Sequence, residues 1–149
     1  MTMKQSSRIF VLMAVMFPVS CDMFVTSNPP YVVTKPVCEI IERPGFFTYA
    51  GVTFNLLNTS EKNIDSITVS FMLFDAETQD SPFAGGNIFK IKKLDTVLIN
   101  ENKEIIISLD KYIYVAPSEP YIIDFFYIVE IQYADGSAWQ DPNGIYRVD

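Results

Sequence analysis

The stretch Tyr127–Trp139, YIVEIQYADGSAW, decides the fold. Tyr127, Val129, Ile131 and Tyr133 alternate with Ile128, Glu130, Gln132 and Ala134. A period of two is the mark of a strand with one buried face. Asp135-Gly136 closes the run as a tight turn, because glycine takes positive φ at no steric cost. The length of that turn sets the register of the returning strand. A two-residue turn places Trp139 opposite Gln132, on the outer side. A three-residue loop, Ala134-Asp135-Gly136 with a left-handed glycine, places Trp139 opposite Ile131, inside. Burying a tryptophan is worth several kcal/mol at ~25 cal/mol per Å², so the three-residue loop and a buried Trp139 are expected.

Outward from this hairpin the chain repeats the same grammar. Val37–Arg43 reads as a short strand closed by Pro44-Gly45. In residues 46–58, Val52, Phe54 and Leu56 share one face, with Thr53, Asn55 and Leu57 opposite. Residues 58–63 form a polar turn. Ile64–Asp75 then sets Ile67, Val69, Phe71 and Leu73 against Thr68, Ser70, Met72 and Phe74. Residues 76–87 read as a loop punctuated by Pro82 and Gly85-Gly86. Ile88–Lys93 alternates apolar residues with lysine, and Val97–Ile99 and Ile105–Leu109 flank the polar turn 100–103. Residues 112–116 are a short strand or a crossing turn, broken by Pro117 and Pro120. Tyr121–Ala134 is long for a strand and is expected to bend or carry a bulge. About seven short strands separated by polar turns predict an all-β sandwich, with a closed barrel the less favoured arrangement.

Composition bounds the function. The 149 residues are 49% hydrophobic and 14% aromatic, enough for a core, and they contain no histidine. That removes the commonest general base and metal ligand, and with it every Ser/His/Asp or Cys/His arrangement. The net charge of −7 opposes nucleic-acid binding, which relies on displacing counterions from phosphates.

Residues 1–21 form a separate unit. Lys4 and Arg8 precede the apolar run Ile9–Val19, which is too short to span a bilayer but fits the hydrophobic region of a signal peptide. Phe17-Pro18-Val19-Ser20-Cys21 resembles a bacterial lipobox, with Pro18 where leucine is usual three residues ahead of the cysteine. The resemblance implies that a diacylglycerol with palmitate-type chains is attached to Cys21 before signal peptidase II cuts ahead of it. A plain cleaved signal peptide is the alternative. Cleavage removes Lys4 and Arg8 from the 11 basic residues, leaving 9 against 18 acidic, a net charge of −9. Residues 21–36, with Pro29, Pro30 and Pro36, read as a stiff tether. The domain boundaries expected are therefore 1–20 signal peptide, 21–36 tether and 37–149 sandwich. Cys38 reads as a small buried hydrophobe, or as a disulfide partner of Cys21 where there is no lipidation.

Phe71-Met72-Leu73-Phe74-Asp75 resembles the F-x-L-Y-D signature of immunoglobulin-like domains in small bacterial lipoproteins and cell-envelope proteins, with Phe74 in the tyrosine place. The preceding Val52–Ile64 is similar too, and Ile131–Tyr146 resembles the D-G-x-x-W closing hairpin of extracytoplasmic β-sandwiches. The resemblance implies an immunoglobulin-like fold and an exported compartment, and it carries no catalytic residues.

Other constellations compete with plainer readings. Asp135 and Asp141 can form an acid/base pair, or serve as turn and cap groups. Asp75, Glu77 and Asp80 supply calcium-type ligands without an EF-hand spacing, so a solvated acidic loop is the plainer reading and no metal site is assigned. Lys90, Lys92 and Lys93 either dock an anionic partner or discourage edge-to-edge strand pairing. Tyr112, Tyr114, Tyr121, Phe125, Phe126 and Tyr127 concentrate more aromatic rings than one sheet face buries. Tyr112, Tyr114, Tyr121 and Phe126 are the interaction candidates. The expected protein is a non-enzymatic, lipid-anchored module of the cell envelope, without cofactor, that contacts the membrane through its lipid and an envelope protein through its body. The alternatives are a soluble periplasmic or secreted ligand-binding sandwich and, more remotely, a carboxylate-dependent hydrolase.

Overall fold

The computed structural model describes residues 28–41, 49–82, 86–109, 111–112 and 119–148. Eight strands follow in order: β1 (Tyr31–Val33), β2 (Val37–Ile41), β3 (Tyr49–Asn58), β4 (Ile64–Phe74), β5 (Ile88–Val97), β6 (Asn102–Ser108), β7 (Ile122–Tyr133) and β8 (Ala138–Gln140). All pairings are antiparallel. In sheet I, β3 is central, with β6 on one side and β1 and β2 end to end on the other. Sheet II has the order β5-β4-β7-β8. The two sheets pack face to face as a β-sandwich.

The core is built from the alternation of β3 and β4. Val52, Phe54 and Leu56 from β3 face Ile67, Val69, Phe71 and Leu73 from β4, all buried. Phe126 lies between the sheets, 4.8 Å from the Phe54 ring and 6.3 Å from the Phe71 ring, and Phe89 stacks on Phe71 at 5.6 Å. Offset and edge-to-face aromatic packing of this kind adds to the area term.

Three features depart from the sequence reading. First, the expected tether runs into the sheet: Tyr31–Val33 pair with Leu56–Asn58, and Tyr31 is buried. The Pro-rich composition concealed this strand. Pro36 has no N–H for the ladder and interrupts the edge between β1 and β2. Thr34 bridges the gap, donating its N–H to Asn55 O (3.1 Å) and accepting from Asn55 N at its hydroxyl (2.9 Å). Second, β5 is one continuous strand where two shorter segments were expected. Third, β7 carries the anticipated bulges, and they reassign its faces. The ladder passes from Thr68↔Glu130 to Val69↔Ile128, leaving Val129 over, and from Ser70↔Tyr127 to Met72↔Asp124, where β7 again has one residue more than β4. Phe125 takes up that second excess with φ 50°. Simple alternation had put Tyr127 with Ile131. The bulges instead turn Phe126 and Ile128 inward with Ile131, and set the Tyr127 ring over Gly144.

The hairpin register is as expected. Ile131 pairs with Trp139, Gly136 has φ 83°, and Tyr133 N–H bonds Ser137 O across the three-residue loop. Trp139 is half-buried against the core, its ring edge-on to Tyr31 at 5.3 Å.

The sandwich has two distinct ends. The entry end gathers Tyr31, Asn58 and the turns 59–63, 98–101 and 134–137, tied by Thr59 N–H to Pro30 O, Asn100 N–H to Asn58 O and Ala134 N–H to Asn63 O. The far end holds Phe74, Ile88 and Ile122, about 33 Å away along the eleven residues of β4.

Candidate functional site

The aromatic candidates do not form one surface. Phe126 is fully buried, because the bulge beside it rotates its ring into the core, and this corrects its reading as an interaction residue. Tyr121 is half-buried and packs against the core. Tyr112 is exposed at its rim but leans edge-on against Phe89 at 5.1 Å. Tyr114 lies outside the described residues, as does the lipidation candidate Cys21.

The exposed apolar group at the far end is a different set. Ladder pairs place Ile88 beside Met72 and Ile122 beside Phe74, all on the outer face of sheet II. Ile88 and Ile122 are exposed, and Met72 and Phe74 half-buried between them. Phe125 is exposed next to this row, and Arg147 lies 5.4 Å over its ring. Its positive φ is costly for a bulky residue, and Asp124 Oδ1 helps to hold the turn by accepting Phe125 N–H at 2.8 Å. β8 reaches only Glu130–Gln132, and Val148 bridges Phe126. Among the described residues, no strand pairs with Ile122–Phe125 on the side away from β4. Among the described residues, the far end therefore combines apolar side chains with a length of unpaired strand edge, a form suited to a flat protein contact. Alternation alone missed this set, because only the paired register of β4, β5 and β7 puts these residues together.

The carboxylates act as turn and cap groups. Asp135 Oδ1 accepts Ser137 N–H at 2.9 Å and its Oδ2 meets Lys62 Nζ at 2.8 Å. Lys62 first, and Ser137 next, hold this carboxyl well below the usual carboxylate range. Asp141 Oδ2 accepts Tyr146 N–H at 2.9 Å, and Asp141 N–H bonds Val129 O. Among the described residues, the second oxygen of buried Asp141 and the hydroxyl of Tyr31 are both enclosed without a hydrogen-bond partner. Burial pushes the Tyr31 phenol far up, and the Asp141 charge adds to that rise. With Trp139 and Tyr146, these residues seal the edge where β1 of one sheet meets β8 of the other.

Asp75 folds its loop onto itself. Its Oδ1 accepts the N–H groups of Glu77 and Thr78, both at 2.9 Å, and these bonds lower its pKa. Among the described residues, no three acidic or thiol groups converge on a metal-sized space. Lys90 and Lys92 stand exposed on the edge strand β5, where a charged side chain hinders pairing with another sheet. Lys93 is half-buried on the opposite face of that strand. Cys38 has no disulfide partner among the described residues, and burial raises the pKa of its half-buried thiol, the reverse of an activated nucleophile.

Among the described residues, no helix is long and apolar enough to cross a membrane. No family model matches the chain, and no curated protein matches it. A solved structure does: a hypothetical protein from Peptoclostridium difficile 630, at a TM-score of 0.56 and 12% identity, over 77% of this chain and 88% of that one. The likeness is one of fold.

Proposed function

We propose that this protein is an exported, lipid-anchored, non-enzymatic module of the cell envelope, whose far end contacts another envelope protein. The observation that carries the reading is the leader: a basic start, an apolar run of signal-peptide length and then Cys21, nine positions ahead of the Pro30 that docks on the sandwich. One acyl chain holds a protein only marginally, whereas the two or three of a lipoprotein hold it for long periods. The apolar far end, with Ile88, Ile122 and Phe125, supports an interaction role. The resemblance of Phe71–Asp75 to the signature of immunoglobulin-like envelope domains supports the compartment.

Intact mass of the mature protein tests the anchor. A chain beginning at Cys21 and carrying a diacylglyceryl group is expected, and Cys21→Ser should release the protein from membranes. An unmodified product starting at or beyond residue 21 would refute the anchor and favour a soluble periplasmic or secreted ligand-binding sandwich.

A further inference from the structure

The entry end carries a second, unassigned apolar feature. Leu98 and Ile99 form the tip of the β5–β6 turn, and the two residues are 53% and 46% exposed. The turn that presents them is held rigidly. Glu101 N–H closes it onto Leu98 O (3.1 Å), Leu98 N–H donates to the Glu101 carboxylate at 2.6 Å, and Ile99 N–H donates to Asn63 Oδ1 at 3.1 Å. Beneath it sits fully buried Asn58, whose amide nitrogen donates to the carbonyls of Lys62, Val97 and Leu98. Asn100 completes the turn in a left-handed conformation, φ 60°, with its N–H on Asn58 O. Two large apolar side chains are thus fixed in solvent by a polar framework, although nothing in that framework needs them to be apolar.

Their position relative to the chain entry gives them an occupant. Pro30 is hydrogen-bonded to Thr59 beside the same Asn58, and β1 and β6 flank β3 there. Two strand spacings put the point of entry about 10 Å from the start of β6, the strand that the tip leads into. Eight residues, 22–29, separate Cys21 from Pro30, so a lipid on Cys21 reaches the sandwich through no more than about 30 Å of chain. Exposed Val32, with half-buried Leu57 beside it in the ladder, extends the apolar surface on this end. Neighbouring charges are largely paired, Lys62 with Asp135 and Lys103 with Asp95. Glu61 and Glu101 keep the flank acidic, which makes a neutral lipid surface the better match than an anionic one.

We propose that Leu98 and Ile99 insert into the membrane interface, so that the tip is a second contact beside the lipid anchor and holds the sandwich with its far end directed away from the bilayer. The proposal rests on the anchored reading above. Small apolar insertions add to an acyl anchor because each buried methylene contributes to the same transfer from water.

The test uses the full-length protein, processed in cells and reconstituted into phosphatidylcholine vesicles brominated near the headgroup end of the acyl chains. Ile99→Trp and Leu98→Trp are compared with Ile88→Trp at the far end, against the constant background of Trp139. Loss of emission from the tryptophan at 98 or 99, with none at 88, is the expected result. Protein that floats with the vesicles while all three tryptophans keep their emission would overturn the docked tip and leave the anchor standing. Protein that does not float, with an unacylated mass, would overturn both.

Discussion

Asn58 is the place where a single substitution should do most to the entry end. Its side chain is fully buried, donates to three carbonyls at 2.8, 3.2 and 3.2 Å, and accepts Ser60 N–H at 3.0 Å and the Ser60 hydroxyl at 2.7 Å. Asn58→Ala removes both amide protons and the acceptor, and it takes a donor from the carbonyl of Val97 in a buried site. At about 1 kcal/mol for each bonding group lost, the cost is about 3 kcal/mol. With an m-value of about 1.5 kcal/mol per molar urea, the midpoint should fall by about 2 M. Trp139 is the only tryptophan and packs on Tyr31 across the sheets, so its fluorescence reports the transition. Asn58→Asp sharpens the reasoning. It preserves shape and one acceptor, but turns a carboxylate oxygen toward three carbonyls. At neutral pH it should therefore cost more than alanine. Burial and those carbonyls raise the folded pKa of the new carboxyl, so its stability should be best at low pH and be lost as the pH rises through that value. A shift below about 0.5 M for Asn58→Ala, equivalent to less than one ordinary hydrogen bond, would refute the role of Asn58 as the hub of these turns.

Two further outcomes follow from the sealed edge and the closing turn. Tyr31→Phe deletes a buried hydroxyl that has no partner among the described residues, without changing the packed ring, so urea denaturation should show stability unchanged or raised by about 1 kcal/mol. Because the Tyr31 phenol is raised in the fold, its contribution is complete below the ordinary tyrosine pKa and is lost as the pH climbs beyond it, so Tyr31→Phe should also flatten the alkaline limb of the stability profile. Asp135 behaves in the opposite sense. Its depressed carboxyl contributes above the ordinary aspartate pKa and ceases to do so as the pH falls through the lowered value, so Asp135→Asn should reduce the acid dependence measured by thermal unfolding. The effect should be small and shrink with added salt, because the Lys62 pair lies in solvent.

How much was legible in the sequence differs from strand to strand for physical reasons. β4 was readable because it is central, paired on both sides and packed on the other sheet through one face, so Ile67, Val69, Phe71 and Leu73 turn into the core at every second position. The Trp139 register was readable because only one turn length points the ring toward the core, where it is half-buried. β1 was hidden because three residues between prolines show no period, and their place is set by the edge of β3 rather than by local preference. Phe126 was misplaced because a bulge shifts every residue before it by one position, and no local signal in FFYIVE marks which residue is the extra one. The far-end group of Ile88, Met72, Phe74, Ile122 and Phe125 draws on three strands distant in sequence, so no window of the chain contains it. Asp135 and Asp141, by contrast, sit where aspartates in turns usually sit, with their oxygens on nearby amides.

The broken edge formed by β1 and β2 has a mechanical consequence. Traction on the chain ahead of Pro30 loads the ladder of β1 first, and that ladder is only three residues long. Its bonds would open one after another, like a zip, rather than all resisting together. The interruption at Pro36 ends that peeling, because β2 holds β3 through a separate five-residue ladder in a shifted register. β1 would thus give way as a sacrificial link, uncovering the ring of Trp139 and sparing the rest of the body from the load.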